Sequence, residues 1–469
     1  MAQANNRNYV PLPAAFVDTV AAAVPGLAAS LDADVPVSVR FNPYKRCGRP
    51  ERFPAAEPVP WGEPGEAYYL SERPVFTADP AFHGGAYYVQ EAGSMFVGWL
   101  LRRLFADSAG SLRVLDLCAA PGGKTTHIAS VAGAGGVVVA NEVIRSRAKI
   151  LVGNVQKWGA GNVAVTSSDP KDFGERLPGF FDVVVVDAPC SGEGMFRKDY
   201  GARAEWSPEN VQLCAARQRR IVSDVWDALR PDGVMIYSTC TFNAAEDEEN
   251  VRWIAEELGG EILSFDGIPE GIVPGFFGGV AAGWHFYPHQ VRSEGFFAAA
   301  IRKSGAAASV GRLKTAKGLT RLSKTDWREA ERWIDGTKGI ECFATGGDGA
   351  VYGFSPALYD AVSALLGGRF GLLYSGVQLG ELIRGTLKPG HALALYHGLN
   401  HSALAVAELP VEAAMEYLRK GVSMSLLSAA SFSEGLNLVT HRGVALGWAK
   451  RIGNRCNNLY PSSWRILHY

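Results

Sequence analysis

At 469 residues, 47% hydrophobic and 20% charged, the chain is long enough for several ordinary globular domains, and its formal net charge of −1 excludes a molecule that is a polycation as a whole. No apolar run reaches the roughly 18 residues that span a bilayer, and the start, MAQANNRNYVPLP, lacks the basic-then-apolar pattern of a secretory leader, so no membrane association is expected. Seven cysteines, an odd number without CxxC spacing, speak against a disulfide framework or a zinc site and for a reducing cytoplasm with no bound metal.

In chain order, a helical stretch from Pro13 to Leu31 precedes a short strand, VSVRFNP, from Val37, and a Pro- and Gly-rich irregular run from Pro54 to Pro64. The segment YYVQEAGSMFVGWLLRRLF (Tyr87 to Phe105) takes helical apolar spacing from Ala92 onward. From Leu112 the pattern becomes strand, loop, helix, repeated. The strands are LRVLDL, VVVAN (Val137 to Asn141), NVAVT (Asn162 to Thr166), DVVVVD (Asp182 to Asp187) and GVMIYS (Gly233 to Ser238), with helices at Thr125–Ala132 and Arg145–Trp158 among the connections. This alternation predicts an α/β fold with a parallel, doubly wound sheet. GEILSF (Gly260 to Phe265) and GFFAAAIRK (Gly295 to Lys303) supply its last two strands. Small polar residues, SGAAASVG from Ser304, read as a linker. Beyond it come helices at Thr325–Trp333 and near Val411–Lys420 among short strand-like runs, an α+β pattern. The expected divisions are an N-terminal α+β extension over 1–110, the main sheet over 111–303, a linker over 304–320 and two further units over 321–388 and 389–469.

Charge is distributed unevenly. Between Glu294 and Asp326 there is no acidic residue, while Arg302, Lys303, Arg312, Lys314, Lys317, Arg321 and Lys324 all fall there. After Glu434, Arg442, Lys450, Arg451, Arg455 and Arg465 alternate with Trp448, Tyr460, Trp464 and Tyr469. Basic side chains interleaved with aromatics suit phosphates and unstacked bases; an ordinary solvated face over core aromatics has the same composition.

After LRVLDL comes Cys118–Ala119–Ala120–Pro121–Gly122–Gly123–Lys124–Thr125, a glycine turn that opens a helix. Such a turn lets a ligand approach backbone N–H groups. A phosphate-binding GxxxxGK[ST] loop fits at Gly123–Lys124–Thr125, but its first glycine falls on Cys118; the dinucleotide GxGxxG is absent. S-adenosylmethionine carries no phosphate and asks for a turn near its methionine end and an acid for its ribose hydroxyls. Glu142 follows the second strand, where the ribose acid stands in dinucleotide folds, and Asp169 follows the third, placed to meet an adenine.

Two cysteines leave the ends of two strands: Cys190 in DAPCSGEG, after Asp187, and Cys240 in STCTFNAAEDEENV. Cytosine C5 is a poor nucleophile. A thiolate added to C6 makes C5 enamine-like, so that it takes a methyl group, loses its proton and expels the thiol. That chemistry needs a cysteine beside the methyl donor and a group on the pyrimidine edge, a part Asp187 can take through N3 and N4. An acid-rich helix from Glu246 to Glu249 is expected to favour the Cys240 thiolate through its N-terminal dipole. An amino-group methyltransferase would carry an aromatic residue where Cys190 stands.

CAAPGGKT, DAPCSGEG and STCTFNAAEDEENV closely resemble the motifs of the NOL1/NOP2/Sun-type RNA cytosine-C5 methyltransferases, and YYVQEAGSM and RSEGFFAAAIRK resemble their flanking motifs. GLLYSGVQLGE (Gly371 to Glu381) and NNLYPSSWRI (Asn457 to Ile466) are similar to the bacterial branch acting on the small ribosomal subunit. The resemblance implies a Rossmann-like S-adenosylmethionine-dependent methyltransferase sheet, a PUA-like RNA-binding end and a 16S rRNA cytosine as substrate. It also implies Cys240 as nucleophile, Cys190 in product release, and cofactor contacts from Cys118, Ala119, Ala120, Pro121, Gly122, Gly123, Lys124, Glu142, Asp169 and Asp187. A monomer is expected. A tRNA substrate, or a non-catalytic role in ribosome assembly, are the alternatives.

Overall fold

The computed structural model describes residues 9–45, 53, 55–106, 111–305, 318–336, 339–421 and 430–467. A ten-stranded sheet organises them. Its strands are β1 (Arg113–Asp116), β2 (Val137–Asn141), β3 (Val163–Thr166), β4 (Phe181–Asp187), β5 (Leu229–Thr239), β6 (Val273–Phe277), β7 (Val280–Phe286), β8 (Phe296–Lys303) and β9 (Leu372–Ser375), in spatial order β6-β7-β8-β5-β4-β1-β2-β3-β9. Gly260–Ile262 adds a tenth strand, antiparallel to β8.

The five central strands are parallel, as the alternating pattern predicts, and are buried on both faces. Both ends turn antiparallel. The β6–β7 hairpin, which has no counterpart in the predicted elements, and β8 form one end, and β9 forms the other. One face is covered by α1 (Phe96–Leu104), α2 (Gly123–Ala132) and α3 (Arg145–Trp158), through Phe96, Leu100, Ile128, Leu151 and Trp158. The other takes α4 (Pro170–Arg176), α5 (Pro208–Trp226), α6 (Glu248–Leu258) and α7 (Pro356–Gly367). No described helix is long and apolar enough to cross a membrane.

The predicted helix over Pro13–Leu31 is broken: helical turns end at Ala23 and resume at Leu27, because Pro25 and the left-handed Gly26 (φ +93°) interrupt the ladder. Val37–Phe41 pairs with Ala67–Leu70 and Tyr87–Val89 in a small sheet. From it the buried Arg40 donates to Gln90 Oε1 (2.8 Å), Thr126 Oγ1 (2.6 Å) and Gly123 O (3.2 Å), pinning the start of α2.

GLLYSGVQLGE splits between two sheets. Leu372–Ser375 is β9, the chain turns at Gly376 (φ +56°), and Val377–Ile383 joins a five-stranded sheet. Ala405–Glu408, Gly435–His441, Val444–Ile452 and Arg455–Asn458 form a four-stranded sheet with its own core. Most of the expected linker, 306–317, with Arg312, Lys314 and Lys317, lies outside the described residues, as does Tyr469. Of the interleaved aromatics, Trp448 and Tyr460 are buried core, so that stretch follows the ordinary packing pattern rather than an open stacking face.

Candidate active site

The loop after β1 is where the glycines are needed. Gly122 sits at φ +114°, and a side chain there would be strained and would press on Leu151. The turn lets α2 begin at Gly123 and leaves a cavity of about 330 Å³ beside it at the carboxyl ends of the strands. Cys118, Ala119, Ala120, Pro121, Gly123, Lys124, Asp187 and Cys240 line this cavity, together with Gln90, Met195, Lys198 and Phe296.

At its wall Lys124 Nζ lies 2.9 Å from Asp187 Oδ2, and Ser238 Oγ donates to Asp187 Oδ1 (2.9 Å), a pair set by the β4–β5 register. Burial works against the Lys124 charge, but Asp187, Asp116 and Glu91 outweigh it and raise its pKa, so the lysine is a cation. Below the loop, Asp116 is fully buried. Thr125 Oγ1 donates to its Oδ2 (2.6 Å), while Oδ1 has no partner. Burial, with the nearby Asp187 and Glu142 carboxylates, pushes its pKa up to about 7. Burial also raises the Cys118 thiol, which stays protonated.

The two cysteines meet. Cys190 Sγ and Cys240 Sγ are 3.3 Å apart, and the Cys240 N–H donates to Cys190 Sγ (3.4 Å). The hydrogen bond to Cys240, then burial, raise the Cys190 pKa well above its ordinary value. Cys190 therefore keeps its proton, and either sulphur can donate in the contact between them. The helix differs from the dipole expectation: α6 starts only at Glu248, whose carboxylate accepts from His285 Nε2 (2.6 Å). Asp247, Glu248 and His285 form a buried cluster, but 2.6 Å is a hydrogen-bond spacing, shorter than the roughly 3 Å between two ligands on one zinc.

Two carboxylates absent from the sequence-derived site hold both cysteine loops. Glu193 accepts from the Phe242 N–H (2.7 Å), Asn243 Nδ2 (2.9 Å) and Trp206 Nε1 (3.0 Å). Glu246 accepts from the Ser191 N–H (3.0 Å), Gln218 Nε2 (2.7 Å) and Asn243 Nδ2 (2.8 Å). Both are fully buried. The sequence signal was only their nearness to the two cysteines, and Glu246 reads there as one acid of an exposed run.

Glu142 and Asp169 stand at consecutive strand ends, as expected, but neither lines the cavity. Glu142 pairs with Arg147 (3.3 Å), which in turn donates to Ala120 O (3.0 Å). Asp169 is exposed and caps α4 through the Lys171 N–H (3.0 Å).

A parallel sheet of this order, with a glycine turn after its middle strand and reactive groups at the adjoining strand ends, defines a Rossmann-like methyltransferase. Residues 106–302 match the family described as 16S rRNA methyltransferase RsmB/F, residues 12–92 the N-terminal domain of 16S rRNA methyltransferase RsmF, and residues 405–466 the RsmF PUA domain. The chain is similar to the ribosomal RNA small subunit methyltransferase F of Klebsiella pneumoniae (35% identity; 86% of this chain, 83% of that one) and of Cronobacter sakazakii (33%; 96% of each). It belongs to the ribosomal RNA small subunit methyltransferase F family. Its fold is similar to that of a methyltransferase homologue from Pyrococcus horikoshii (TM-score 0.51, 28% identity, 59% of this chain and 89% of that one). It is also similar to NSun6 of the same organism, solved with SFG (TM-score 0.51, 20% identity, 60% and 94%).

Proposed function

We propose that this enzyme transfers a methyl group from S-adenosylmethionine to C5 of a cytosine in 16S rRNA within the small ribosomal subunit. The observation that carries the reading is the pair of thiols 3.3 Å apart, with Cys240 and Asp187 lining the same cavity as the Cys118–Lys124 loop. The residues fit the cofactor: a buried carboxylate oxygen on Asp116 lacks a partner beneath the loop, and Gly122 keeps the approach to the α2 N-terminus open. Cys118 to Lys124 and Asp187 would hold its methionine end, and Glu142 and Asp169, at the neighbouring strand ends outside this cavity, its ribose and adenine. When bound, S-adenosylmethionine supplies an electrophilic methyl group.

The chain's own residues do the rest. The Cys240 thiol passes its proton to water, its sulphur adds to C6, and the electron pair of the C5–C6 double bond gathers at C5. Asp187 accepts from the cytosine amino group, and Lys124 and Ser238, each 2.9 Å from it, hold that carboxylate in place. After C5 takes the methyl group, its proton passes to water, the C5–H electron pair restores the C5–C6 double bond, the Cys240–C6 pair returns to the sulphur, and Cys190, the thiol in contact with it, assists release. The base must leave its stack to reach both sulphur and donor.

Labelled methyl transfer to purified small subunits and to bulk tRNA tests the reading. Label in one cytosine of 16S rRNA, converted to 5-methylcytosine, is the expected result. Label in tRNA alone would move the substrate, and none in either would remove the activity.

A further inference from the structure

A second recess, of about 210 Å³, lies against the reaction cavity and shares the Tyr88 and Val89 wall with it. It is lined by Phe82 and Tyr88, which are half-buried, and by the buried Tyr87 and Trp158, with Asn154 and Lys157 beside them. Asn154 Nδ2 donates to Pro121 O (2.8 Å) and reaches the Tyr88 hydroxyl (3.4 Å), so the recess is tied to the loop after β1. One face of Trp158 is taken by Arg40 at 4.3 Å. Lys157 Nζ stands 5.9 Å from the Phe82 ring and 5.2 Å from the Trp464 ring. Among the described residues it has no carboxylate partner.

Aromatic walls, one amide and, at the edge, a cation with no carboxylate partner among the described residues suit an unstacked base and its phosphate. The volume falls below the roughly 300 Å³ at which pockets for drug-sized ligands begin, and it suits a single ring system. Because the two cavities share a wall, an RNA strand that delivered a flipped cytosine to Cys240 would carry a neighbouring nucleotide past this recess. We propose that the recess receives the nucleobase of a nucleotide flanking the target cytosine, with Lys157 on its phosphate, and so helps choose which cytosine is methylated. The proposal rests on the RNA reading above.

The test uses the full-length protein, purified small ribosomal subunits, and two variants outside the reacting groups, Phe82→Leu and Lys157→Gln. Phe82→Leu should raise KM for subunits by about tenfold with kcat unchanged, the share of one lost base–aromatic stack. Lys157→Gln should raise KM and lower the slope of log affinity against log salt by about one. A packing defect alone would leave that slope where it is. If Phe82→Leu fails to fold, Lys157→Gln decides. Variants that melt like the wild type and keep its KM and salt slope overturn the proposal, while the wild type's own methylation in the same assay keeps the RNA reading separate.

Discussion

A thiol that holds its proton is a poor nucleophile, and Cys190, raised well above its ordinary pKa by its contact with Cys240 and by burial, is such a thiol. Cys240→Ala should therefore abolish methyl transfer while leaving the melting temperature near that of the wild type, since the side chain is half-buried and lost volume is small. Measurable turnover would transfer the nucleophile's role elsewhere. Cys190→Ala should leave the first addition possible and slow release, so a covalent protein–RNA adduct should accumulate on denaturing gels. Asp116 gives a pH prediction. Its folded pKa of about 7 exceeds the ordinary 3.8, so between these values the unfolded chain loses this proton while the folded chain keeps it. Stability then falls as pH rises through that window. Asp116→Asn, which can still accept from Thr125, should melt higher than the wild type at pH 8 and gain less at pH 4.

At the scale of elements, the cysteine loops owe their positions to buried acceptors rather than to the strands alone. Gly194 illustrates how closely they pass: its N–H donates to Cys240 O (2.9 Å), and a Cβ there would meet Gly295 O at 2.7 Å. Glu193→Ala would strand the Phe242 N–H and Trp206 Nε1 donors in the interior, while Asn243 Nδ2 keeps Glu246. Each buried donor left unpaired costs about 1–3 kcal/mol. The variant should lose at least about 2 kcal/mol of unfolding free energy in urea titrations, and methyl transfer should fall as well because both sulphurs shift.

Across the whole molecule, the catalytic sheet is finished by residues that lie far along the chain. β9 pairs with β3, Gly371 N donates to Ser168 Oγ (3.0 Å), and Leu358, Val362, Leu365 and Phe370 pack into the core under Leu115 and Ala164. Phe370 meets Phe173 with ring centroids 4.7 Å apart. Ending the chain after Lys303 would bare the β3 edge and that apolar face. Such a truncation should aggregate, or melt well below the full chain, by size-exclusion chromatography and thermal unfolding. Unaltered melting would mean that the C-terminal half leans on the sheet without supporting it.

The five parallel strands, the helix over Arg145–Trp158, the glycine turn and both cysteines were legible in the residues themselves, because β-branched runs, 3.6-residue spacing and turn chemistry are local properties. Four kinds of feature were not. Glu193 and Glu246 look like solvated acids until apolar neighbours close over them. The exposed cap at Asp169 and the ion pair at Glu142 depend on where other side chains fall. Trp448 and Tyr460 read as a possible stacking face until packing buried them. The β9 strand could be assigned to the catalytic sheet only by an edge some two hundred residues earlier. Local chemistry determined which groups this protein brings to its reaction; the distances between them, and which carboxylates hold them there, were decided by contacts between segments remote in sequence.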